Sequence, residues 1–70
     1  MNKTEAILTQ TLEQLERMTE ALATLRRELL PAQPKKFAIL AEGPFEDMRR
    51  LQGEIEQLTA EIAARAPAPV

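Results

Sequence analysis

The sequence predicts an all-α protein: an antiparallel helical hairpin with a short helix or turn segment between two long helices, dimerising to a four-helix bundle or coiled coil. Three observations carry that expectation. Leu8, Leu15, Leu22 and Leu29 recur every seven residues, with Leu12, Met18 and Leu25 between them. On a helix of 3.6 residues per turn these side chains share one face. Met48, Leu51, Ile55, Leu58 and Ile62 repeat at spacings of 3, 4, 3 and 4, a second heptad pattern. Between the two patterns stand Pro31, Pro34, Gly43 and Pro44, residues that interrupt regular structure.

The first helix is expected over residues 3–29. Asn2 is a good cap, and Glu5 stands three residues later at the spacing of a capping box. Pro31 pushes Leu30 out of the helical region and so ends the helix. Glu5, Glu13, Glu16 and Glu20 come early and Arg26 and Arg27 come late, an order that complements the helix dipole. At 100° per residue the apolar ladder covers an arc of about 140°, wider than a two-stranded seam needs, with Thr19 and Arg26 inside it. A face this broad implies two neighbours at once. Arg26 is expected to lay its stem along the apolar edge and Thr19 to sit at the rim. The alternative is that they fix register or partner number.

Residues 30–36 are expected to turn, and a short helix is expected over 34–42 with Pro34 in its first position. A strand reading of Phe37, Ile39 and Ala41 has no partner strand to pair with. Pro44 would clash with the carbonyl of Leu40 in a continuous helix. The second long helix is therefore expected to start afresh and run over 44–65, with Glu46 and Asp47 in its first turn. A kinked continuous helix is the alternative. Phe37, Ile39, Leu40 and Phe45 are expected to plug the turn end of the bundle; otherwise they form an exposed patch for a partner. Gly53 falls opposite the second apolar stripe and weakens that helix by about 1 kcal/mol relative to Ala. Residues 1–66 thus read as one hairpin domain and 67–70 as a disordered tail.

Seventy residues give one domain at most, and chains this short usually need a staple. There is no Cys, hence no disulfide and no thiolate metal site. His and Ser are also missing, which removes the common general base and nucleophile systems. Thr and Lys remain, without a base and an orienting group around them. No catalytic residue, cofactor or metal is therefore expected. Glu13, Glu16 and Glu20 lie on the side away from the ladder and read as a solvated face, because a carboxylate-bridged bundle site would need inward Glu with His.

The staple that remains is a partner chain. The expected interface comprises Leu8, Leu12, Leu15, Met18, Leu22, Leu25, Leu29, Met48, Leu51, Ile55, Leu58 and Ile62. The simplest closed form is a C2 dimer, with a larger protein as a further or alternative partner.

Nine Lys and Arg against eleven Asp and Glu give a net charge of −2. The stretch from 26 to 50 is locally basic, with Arg26, Arg27, Lys35, Lys36, Arg49 and Arg50 against Glu28, Glu42, Glu46 and Asp47. A hairpin is expected to gather these bases at its turn end, where they would contact an anion or a nucleic acid. Interleaved acids and the lack of stacking aromatics favour simple dipole and ion-pair roles instead. No apolar run reaches the roughly 20 residues of a membrane span, and residues 1–11 have no signal-peptide core. A cytoplasmic protein without membrane attachment is expected. The function these features suggest is a small non-enzymatic protein–protein interaction module: a self-associating scaffold, an accessory subunit or an antitoxin-like regulator. The alternative is a nucleic-acid-associated dimer using the basic turn end.

Overall fold

The structure, a computed structural model, describes residues 2–65. It contains two helices, α1 (Lys3–Leu29) and α2 (Pro34–Arg65), packed against each other as a hairpin. The tail expected over 67–70 lies outside the described residues.

Helix α1 spans the expected residues, but Pro31 does not push Leu30 out of the helical region: Leu30 keeps helical angles of φ −59° and ψ −41° as the C-cap. The Asn2 side chain caps the first turn, its Oδ1 accepting from the Thr4 N–H at 2.8 Å. At the other end the Leu30 N–H donates to Arg26 O and the Gln33 N–H to Leu29 O, carrying the chain through a tight turn. That turn occupies residues 30–33, shorter than the expected 30–36, and Pro34 opens α2 in the first helical position.

The expected break at Gly43-Pro44 does not occur. Instead of a short helix over 34–42 and a fresh one over 44–65, α2 runs for 32 residues with Pro44 inside it. Glu46 and Asp47 consequently lie in mid-helix and not in a first turn. Two features make the continuous helix favourable. Proline crowds the N–H and the Cβ of the preceding residue, and Gly43 lacks the Cβ. The inward row of α2 also passes through the proline in step: Phe37, Ala41, Pro44, Met48, Leu51, Ile55, Leu58 and Ile62 are all buried or half-buried, at alternating spacings of 4 and 3. Pro44 still leaves the Leu40 carbonyl without its helical donor. A break would instead have put the two halves of the row out of phase.

The matching row on α1 is Thr4, Leu8, Thr11, Leu15, Met18, Leu22, Leu25 and Leu29. Thr4 and Thr11 are buried, at 8% and 5% exposure. Thr11 satisfies its hydroxyl within its own helix, donating to Ile7 O at 2.9 Å. Thr4 Oγ1 accepts from Arg65 Nη1 at 2.7 Å, which clasps the open end of the hairpin.

The molecule is a rod of 56 × 19 × 17 Å. Its radius of gyration is 16.4 Å, against about 11 Å for a compact chain of this length. Two helices touching along one line have little interior, and among the described residues only Ala41 and Leu51 form a fully buried apolar core.

Candidate interaction surface

The twelve apolar residues expected to form an interface all lie on the inward sides of the helices or beside them. Of these, Leu51 is buried at 1% exposure, Leu12 is exposed at 42%, and the other ten are half-buried. The geometric reason is simple: a seam between two helices covers each side chain from one direction only. The seam also includes Thr4, Thr11, Phe37, Ala41 and Pro44, which the leucine pattern alone does not reveal. The 4/3 spacing extended past its apolar members would have found them.

The Phe37 to Phe45 segment does not plug the turn end. Phe37 is half-buried and Ala41 fully buried in the seam, but Ile39, Leu40 and Phe45 are exposed at 66%, 45% and 43%. As part of a continuous helix, the segment can turn only its seam side toward α1.

Angular position sorts the remaining residues onto two broad faces, one on either side of the seam. One face carries Gln14 and Arg17 from α1 beside Asp47 and Arg50 from α2, around a shallow depression of about 130 Å³ that Met18 and Leu51 also line. Arg50 there pairs with Asp47 and with Glu54, each at 3.6 Å. The opposite face carries exposed Leu12, Leu30 and Phe45. It holds a second depression of about 350 Å³, lined by Thr19, Leu22, Ala23, Arg26 and Phe37. Arg26 and Thr19 are exposed at its margin, and the Thr19 hydroxyl turns back to Leu15 O at 2.9 Å.

No protein-family model, curated protein or solved structure matches this chain.

The six bases expected at the turn end do not all reach it. Arg26 and Arg27 close α1, and Lys35 and Lys36 open α2, so these four do gather there. Arg49 and Arg50 are carried about 23 Å further along the unbroken α2, at 1.5 Å per residue. Arg50 lies across from Gln14 and Arg17, engaged by two carboxylates. Arg27 makes one side-chain hydrogen bond, Nη2 to Thr24 Oγ1 at 3.3 Å. Arg65 bonds across the hairpin to Thr4 and Asn2. Glu13, Glu16 and Glu20 are exposed. No helix is long and apolar enough to cross a membrane among the described residues.

Proposed function

We propose that the protein is a small non-enzymatic interaction module that self-associates through its helices, serving as a scaffold element, an accessory subunit or an antitoxin-like regulator. One observation supports this above all: only Leu51 of the twelve heptad apolar side chains is fully buried in the hairpin. Fully burying a side chain of this size contributes about 1.5–3 kcal/mol. The other ten, apart from exposed Leu12, each keep up to about a third of their surface in water and together leave roughly 5 kcal/mol for a neighbour to supply. Typical domain stability is about 5–15 kcal/mol, so that amount decides whether the chain folds. The lack of His, Cys and Ser supports a non-catalytic role.

Sedimentation equilibrium across a wide concentration range tests the reading. The expected result is a dimer or higher oligomer that loses helicity as it dissociates at high dilution. A compact single chain that keeps its helicity at every dilution would overturn it.

A second reading, a nucleic-acid-associated dimer, draws on Arg26, Arg27, Lys35 and Lys36 at one pole against Glu28 alone nearby in sequence. It predicts retention on DNA or RNA that falls steeply with salt and is lost on Lys35→Ala/Lys36→Ala. Absence of retention at low salt removes it.

A further inference from the structure

We infer that the second copy covers the face bearing Leu12 and Phe45, lying head to tail, so that Leu12 of each copy enters the depression between Thr19 and Phe37 of the other. This rests on the self-association proposed above and specifies its surface and direction.

The choice of face follows from what each one presents at its centre. Interface centres are depleted of charge. The centre of one face is taken by Arg17, Asp47 and Arg50, with two ion pairs running along it. The flanks of the other present Leu12 from α1 and Phe45 from α2, both exposed and uncharged, with the larger depression beside them. That face is wide enough: α1 has 27 residues and the rod is 19 Å across, so the area is roughly 800 Å², one partner's share of a standard stable interface.

The direction follows from symmetry and charge. A two-fold interface pairs a projection at one position with a hollow at another, and repeats the pair by symmetry. Leu12 and the depression edge at Thr19 lie on the same flank of α1, about equally far from its midpoint. A two-fold axis crossing α1 near Leu15 and Glu16 sets Leu12 of each copy against the depression edge at Thr19 of the other, and leaves the exposed Glu16 pair at the outer rim, where the carboxylates stay in water. The same register sets Glu5 of one copy across from Arg26 of the other. It also separates the two clusters of Arg26, Arg27, Lys35 and Lys36 by about 40 Å, several screening lengths of about 8 Å. A same-end arrangement would stack them.

Leu12→Glu and Leu40→Glu test the face, because both sites are exposed, outside the seam and on opposite sides of it. On the full chain, Leu12→Glu is expected to remain helical and weaken dimerisation at least 100-fold, while Leu40→Glu leaves it within a few fold. The chain has no Cys, so single cysteines report direction cleanly. With oxidised glutathione, Glu16→Cys beside the two-fold axis is expected to link into a covalent dimer, and Ala32→Cys in the turn is not. The cysteine variants keep the test decisive should Leu12→Glu fail to fold. A dimer broken by Leu40→Glu and spared by Leu12→Glu overturns the face but leaves self-association standing. Linkage through Ala32→Cys in place of Glu16→Cys overturns the direction. A parent chain that is monomeric throughout overturns both the inference and the reading beneath it.

Discussion

Thr4 and Thr11 are the two buried polar side chains among the described residues, and each is satisfied differently: Thr4 by Arg65 across the hairpin, Thr11 within its own helix. Thr11 bonds to a carbonyl of its own helix, which already has a backbone donor, so its hydroxyl adds little net stability. Thr11→Val is accordingly expected to be neutral or stabilising by up to about 1 kcal/mol, seen as an unchanged or higher Tm. Asn2→Ala should do the reverse. It removes the cap on the Thr4 N–H and costs about 1 kcal/mol, a Tm fall of roughly 4–8 °C for a domain of this size. The Asn2 cap was legible in the sequence because capping depends on a few adjacent residues. The burial of Thr4 and Thr11 was not, because a search for leucines passes over the polar members of a heptad. The Arg65 clasp was equally hidden, since it joins residues that only the folded hairpin brings together.

The span of helix α1 was legible because cap and ladder agree, although Leu30 stays helical in front of Pro31. Helix α2 was not, because a local rule about proline competes with a longer-range rule about phase, and phase wins. That competition has a measurable signature. Apart from its chain neighbours and its own helix backbone, an added Cβ meets nothing within 4 Å at either Gly43 or Gly53. Gly53→Ala should therefore stabilise by about 1 kcal/mol through helix propensity alone. Gly43→Ala should fail to stabilise despite the same open space, because its new methyl meets the Pro44 ring. In a Pro44→Ala background Gly43→Ala should recover the full gain, and a double-mutant cycle of thermal or denaturant melts reads the coupling directly. Pro44→Ala alone should raise stability by about 1–3 kcal/mol, since it restores a donor to the Leu40 carbonyl. Additive effects of Gly43→Ala and Pro44→Ala would show that the glycine does not accommodate the proline.

Across the whole molecule the governing quantity is how thin the rod is. With side chains of α1 and α2 meeting along a single line, folding and association are expected to be one event, and Tm should rise with protein concentration. Leu22→Asp puts a charge in that line and should dissociate and unfold the chain together; a folded, monomeric Leu22→Asp variant would contradict the coupling. The breadth of the α1 ladder pointed to this incompleteness at the level of sequence. The gathering of all six bases did not survive, because it assumed a bent α2. The clasp between Arg65 and Thr4 also carries an architectural consequence. Anything attached ahead of Asn2 and anything attached beyond Arg65 departs from the same pole. Two rods laid head to tail would send such attachments away in opposite directions, so the pair would act as a strut that holds its loads about a helix length apart.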